Sequence, residues 1–191
     1  MIRPIVAYGD PVLKKRAEQI ITNDPNELKS LITDLWETMY NAKGVGIAAP
    51  QIGVSRSIFV ADFSFFKEEE NFFEDELIKL KQVFINPSIK ENGEDFNYPE
   101  GCLSIPNISE DVVRKNSVKI NFLDENLLSQ EINCSGIIAR VIQHEYDHLQ
   151  GILFTDKLSY KKRKEIKEEL NSISVGDVEV KYKMSFLNKL D

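Results

Sequence analysis

The sequence predicts a single α+β domain in which antiparallel sheets pack around a central helix carrying His-Glu-x-x-His. Three observations lead there. The 191 residues are 42% hydrophobic and 29% charged, enough for one core with the balance of a globular protein. Past the first helix, short apolar runs alternate with turn residues, the pattern of strands joined by tight connections. The chain has 2 histidines, and both lie in Gln143-His144-Glu145-Tyr146-Asp147-His148, directly after the apolar run Ile137-Ile138-Ala139-Arg140-Val141-Ile142.

Residues 1–25 carry turn signals at Gly9-Asp10-Pro11 and Asn23-Asp24-Pro25 and read as an extended segment wrapping the domain. A helix follows. Asp24 suits the N-cap, Pro25 the first helical position, and Glu27 a capping-box-like pattern. Leu28, Leu31, Ile32, Leu35 and Met39 repeat at helical period, and Gly44 is the expected stop. Residues 44–53 are small and apolar, with Gln51 as their one polar side chain. They lack the pattern of a phosphate loop. They read either as a tight turn into a strand at 57–61 or as bare backbone that a ligand can approach.

Residues 62–82 read as a charged surface insertion with a short helix around 74–80. A strand at 83–86 is expected to stop at Pro87, and 98–106 is turn-rich. Strands are expected at 110–114, 117–123 and 127–134, and Ser135-Gly136 opens the helix that carries both histidines. In the C-terminal region, 157–191, Ser159 caps a helix at 161–170, residues 171–176 turn, and 177–184 alternate as a closing strand.

Composition excludes several classes. A formal net charge of −7 argues against a nucleic-acid binder, which needs a basic surface. Two cysteines, Cys102 and Cys134, make no disulfide framework, so a reducing cytoplasm is expected. The N-terminus lacks the apolar stretch of a signal peptide, and no run is long enough to span a bilayer.

The chemistry starts from His144 and His148. At i and i+4 on a helix they can present two imidazoles to one ion, with Glu145 beside them to handle a proton of an activated water. A plain solvated face is the competing reading. It fails to explain why the histidines share a side with Ile137 and Val141. A catalytic ion wants a third protein ligand. Glu165, Glu168 and Glu169 on the following helix are candidates, and so is Cys102 in Glu100-Gly101-Cys102-Leu103-Ser104. Cys134 suits a buried core position. The residues alone leave the third ligand open.

Three blocks together, Gly44-Val45-Gly46-Ile47-Ala48-Ala49-Pro50-Gln51, Glu100-Gly101-Cys102-Leu103-Ser104 and Gln143-His144-Glu145-Tyr146-Asp147-His148, resemble in order and spacing the signature motifs of peptide deformylase. The likeness runs from about residue 4 to 156. It implies metal-dependent removal of formyl from the N-formylmethionine of new polypeptides, releasing formate. It implies Cys102, His144 and His148 as ligands of one divalent ion, Fe2+ by family habit, for which Zn2+, Ni2+ or Co2+ can substitute. It further implies Glu145 as the proton-transfer group, with the Gln51 amide and the Leu103 backbone N–H as oxyanion donors. Val45, Gly46 and Gly101 would pair with an extended substrate, and Tyr98, Ile137 and Val141 would line the methionine pocket. Glu100 and Arg114 would brace the site, the alternative being an exposed ion pair. The resemblance implies a bacterial monomer that meets formylated nascent chains at the ribosome, with no membrane or nucleic-acid specificity. The 62–82 stretch is longer than in compact members, and the tail resembles the branch with a C-terminal strand. Two rival readings remain: a metallopeptidase with Glu168 in place of Cys102, and a binding module with a closed structural metal site.

Overall fold

A computed structural model describes residues 1–21, 24–66 and 80–187. Among the described residues, five strands form one antiparallel sheet in chain order. They are β2 (Gly46–Ala48), β3 (Ile58–Asp62), β4 (Lys81–Cys102), β5 (Ile105–Leu123) and β6 (Ser129–Ser135). A second sheet is a short parallel pair, β1 (Ile5–Val6) with β7 (Met184–Ser185). The expectation of antiparallel sheets therefore holds for the large sheet only. α1 (Pro25–Asn41) packs on sheet residues Ile47, Ile58, Val60 and Val83, and α2 (Gly136–Gln150) packs on Phe59, Phe84 and Phe122.

α1 begins as expected. The Asp24 carboxylate accepts from Asn26 N at 2.8 Å and Glu27 N at 3.4 Å, and Leu28, Leu35 and Met39 are buried. It ends earlier than expected. The left-handed residue is Lys43, with φ 57°, and Gly44 N closes the turn on Met39 O at 2.9 Å. Gly44 meets a different demand: a Cβ there would lie 2.7 Å from Leu103 Cδ1.

The longest departures from expectation lie in β4 and β5. Pro87 does not end the strand. Register shifts between Ile85 and Ser88, and Asn86 takes φ 48°, so the proline sits in a bulge where its missing N–H costs no ladder bond. The stretch read as turn-rich at 98–106 is strand on both sides of a tight reversal at Leu103-Ser104, with Cys102 opposite Ile105. The strands expected at 110–114 and 117–123 are one strand. Of the 62–82 insertion, residues 63–66 form a 3₁₀ turn. Residues 67–79, with most of the helix expected at 74–80, lie outside the described residues.

α2 lays Ile138, Ala139, Ile142 and Leu149 against Phe59, Phe84, Phe122 and Ile132 of the sheet. Burying a side chain the size of Ile or Leu contributes ~2 kcal/mol, and the Ala139 methyl less than half of that. The helix stops at Gly151, with φ 74°, where a Cβ would lie 2.6 Å from Lys14 O, so the N-terminal wrap packs on bare backbone.

The expected 161–170 helix is two, α3 (Tyr160–Glu165) and α4 (Lys167–Val175), broken at buried Ile166. Residues 171–175, read as a turn, continue α4 to Gly176 at φ 82°. The closing strand is only Met184–Ser185. The alternation at 177–184 arises because Val178 and Tyr182 pack into two separate apolar clusters without joining a ladder.

Candidate active site

Three elements deliver the site. The end of β4 supplies Glu100 and Cys102, α2 supplies His144, Glu145 and His148, and the turn after β2 supplies Gln51. Donor atoms of Cys102, His144 and His148 all lie within 4.8 Å of one another. Cys102 Sγ is 3.3 Å from His148 Nε2. A tetrahedral ion with bonds of about 2.3 Å to sulfur and 2.0–2.1 Å to nitrogen sets such a pair roughly 3.5 Å apart. His144 Nδ1 is engaged by Glu100 Oε2 at 3.0 Å, which leaves Nε2 for an ion.

Electrostatics fit a cation at this point. Burial pulls His144 down, but its hydrogen bonds to Cys102 and Glu100 outweigh that and raise it well above its ordinary value. The pocket around that ring therefore favours positive charge. Burial drives His148 well below its ordinary value, which keeps its ring neutral as a ligand must be. The thiol, two imidazoles and surrounding charge thus suit a divalent ion such as zinc or ferrous iron.

Glu145 is buried beside the donors, and its Oε2 has no hydrogen-bond partner among the described residues. Burial pushes its carboxyl up from 4.5 to about 7. Gly46 makes room for it, since a Cβ there would lie 2.6 Å from Glu145 Oε1. The bare backbone seen in the sequence thus serves close approach, and the approaching group is Glu145.

Gln51 has both of its weighed roles in one side chain. Its Oε1 accepts from Ala48 N at 2.8 Å, an ordinary turn bond. That fixes the amide, so Nε2 points to Cys102 Sγ and Ser104 Oγ, each at 3.5 Å.

A cavity of about 870 Å³ opens over these groups. Its walls include Val45, Gly46, Gln51, Tyr98, Glu100, Gly101, Cys102, Leu103, Ile137, Val141, His144 and Glu145. β2, which carries Gly46, is an edge strand. Glu165, Glu168 and Glu169 are exposed and stand outside the donor cluster. Cys134 is core, opposite Val118 on β5.

Glu100 and Arg114 are buried, not the exposed pair weighed as an alternative. Arg114 Nε and Nη2 reach the two carboxylate oxygens at 2.5 and 2.9 Å. Burial pushes Glu100 up, but hydrogen bonds from His144 and Arg114 outweigh it and hold the carboxyl well below the usual range. The sequence reading missed two members of this network. Arg140 Nη1 donates to Glu100 Oε1 at 2.6 Å, and Arg114 Nη1 donates to Asp147 Oδ2 at 2.6 Å. A lone arginine inside the apolar run 137–142 was the available signal for Arg140.

Comparison with known proteins agrees with this geometry. A family model described as polypeptide deformylase matches residues 2–164. The chain belongs to the polypeptide deformylase family. It is 52% identical to the peptide deformylase of Christiangramia forsetii, covering 98% of this chain and 97% of that protein. It is 48% identical to the peptide deformylase of Flavobacterium johnsoniae, covering 97% and 96%. Among solved structures, a peptide deformylase from Legionella pneumophila superposes with a TM-score of 0.78 at 38% identity, covering 90% of this chain and 95% of that one. A peptide deformylase from Synechococcus elongatus in complex with actinonin gives 0.76 at 35% identity, covering 93% and 90%. This chain is accordingly a hydrolase that removes the N-formyl group from nascent polypeptides. Deformylases use a catalytic metal, and the Cys-His-His cluster is a site that could bind one. No helix among the described residues is long and apolar enough to cross a membrane.

Proposed function

We propose that Cys102, His144 and His148 hold the catalytic ion and that Glu145 moves the proton in hydrolysis of the formyl amide. The observation that carries this reading is the convergence of the three donors beside a buried carboxyl in one cavity. When bound, a divalent ion there would polarise a carbonyl oxygen and lower the pKa of a water beside it toward about 7.

The residues then divide the work. Water oxygen bonds to the formyl carbon, the C–N bond breaks, and formate and a free amine leave. Glu145 accepts the water proton and delivers it to the departing nitrogen. A carboxyl near 7 suits both halves of that exchange. The Gln51 amide and the Leu103 backbone N–H stabilise the oxyanion, each donor being worth about 3 kcal/mol. The peptide lies extended against the edge strand, pairing with backbone of Val45, Gly46 and Gly101. Ile137, Val141 and Tyr98 receive the methionine side chain. Glu100 fixes the His144 ring, and Arg114 and Arg140 fix Glu100.

The ion we assign is ferrous iron, with zinc, nickel or cobalt able to replace it, since a thiolate with two imidazoles accepts each of them. The chain acts as one catalytic domain across 1–191, as a monomer in the cytoplasm on chains emerging from the ribosome. The test is formate release from an N-formyl-Met peptide by iron-loaded protein kept anaerobic, beside Glu145→Ala. Formate from the wild type, with the variant inactive but still metal-loaded, supports the reading. A metal-free or fully active variant contradicts it.

A further inference from the structure

The tail between α4 and β7 reaches the cleft, although the family match ends at residue 164. Glu179, Val180, Lys181 and Tyr182 form part of the cavity wall. The segment is tied down on both sides of Tyr182. Asn107 Nδ2 donates to Glu179 O at 3.1 Å, and Ile5 N donates to Lys183 O at 2.8 Å. Between these ties the Tyr182 hydroxyl donates to Leu103 O at 2.8 Å, and its ring packs on the apolar cluster that also takes Leu103.

Leu103 is one half of the reversal that joins β4 to β5. On one side it is bonded to Cys102, whose sulfur is committed to the donor cluster. On the other, Ser104 O accepts from Tyr8 N at 2.9 Å. Hydrogen bonds within the sheet do not hold the reversal itself, whose pairing resumes only at Cys102 and Ile105. A bond on the Leu103 carbonyl pins the peptide plane that follows Leu103 and, through its Cα, limits how far the preceding plane, which carries the Leu103 N–H, can turn. Oxyanion stabilisation depends on donors already aimed before charge develops, so a small rotation there costs rate.

We propose that Tyr182 is a positioning residue: through its hydroxyl bond to the Leu103 carbonyl, the C-terminal tail holds the Leu103 N–H in line with the reacting formyl oxygen. This rests on the reading of Leu103 as an oxyanion donor. Burial, with the nearby Cys102 charge second, pushes the Tyr182 phenol up to about 12, so the hydroxyl remains a donor throughout the working range.

The test is Tyr182→Phe in the full-length, metal-loaded protein, which keeps the ring and removes the bond. Loss of one neutral hydrogen bond predicts a kcat lower by about three- to tenfold, with KM for an N-formyl-Met peptide within about twofold. Metal content and the thiolate charge-transfer band of the cobalt-loaded protein stay unchanged, and the melting temperature falls by no more than about 4 °C. An unchanged kcat, a loss borne by KM, or a shifted cobalt band overturns the proposal. A second protein with an ester in place of the Leu103 amide N–H separates the two claims. If the ester lowers kcat and Tyr182→Phe does not, the donor reading stands and the positioning role falls. If the ester leaves kcat unchanged, the donor reading falls and the role of Tyr182 with it.

Discussion

Glu100 Oε2 lies 3.0 Å from His144 Nδ1, while the same carboxylate takes a two-pronged grip from Arg114. The ring is thereby oriented before any ion arrives, and its tautomer is set by a carboxylate that two guanidiniums keep charged. Glu100→Gln keeps the shape and removes the charge. Metal affinity should fall about 10–100-fold in a chelator competition. Stability in urea should fall by roughly 3 kcal/mol, because Arg140 loses its buried counter-charge and Arg114 keeps only Asp147.

Gly46 admits no side chain without moving Glu145. Gly46→Ala should lower kcat by about 10²-fold, the scale of a misplacement near 1 Å. Metal content should hold, because the displaced group is not among the three donors. Steady-state kinetics together with metal analysis checks both halves.

Asp62 ends β3, buried, where Tyr40 Oη donates to Oδ2 at 2.6 Å and Ser64 N donates to Oδ1 at 2.9 Å. Burial pushes this carboxyl up, but the bonds from Ser64 and Tyr40 outweigh it and leave it below 3.8. A depressed folded value contributes stability that is present above the unfolded value and is lost as pH falls through the folded one. Wild type should therefore be more stable than Asp62→Asn at pH 7. The gap should close as pH drops from about 5 to below 3.8 in urea melts.

Much of this was legible in the sequence, and the failures have physical causes. The α2 signal was strong because two histidines, Ile137 and Val141 share one helical face. The Asp24 cap and the α1 stripe were equally local. Pro87 misled, because whether a proline ends a strand depends on a bulge that only the partner strand specifies. The Glu100–Arg114–Asp147–Arg140 network was half legible. Glu100 and Arg114 followed from the family resemblance, but Arg140 and Asp147 join them across 33 to 40 positions in the chain. Tyr182 gave no signal at all, since its alternation with Val178 and Val180 imitates a strand.

Cys102 and Glu168 competed as third ligand, and only Cys102 sits in the donor cluster, with Glu168 exposed on α4. Cys102→Ala should abolish tight metal binding and formate release, and Glu168→Ala should alter neither. Metal titration of both variants checks it.

X-ray absorption on the iron- or zinc-loaded protein tests the central claim most directly. The three-donor site predicts one sulfur near 2.3 Å and two imidazole nitrogens at about 2.0–2.1 Å, and loss of the sulfur shell in Cys102→Ala. A first shell of nitrogen and oxygen alone in the wild-type protein would contradict it.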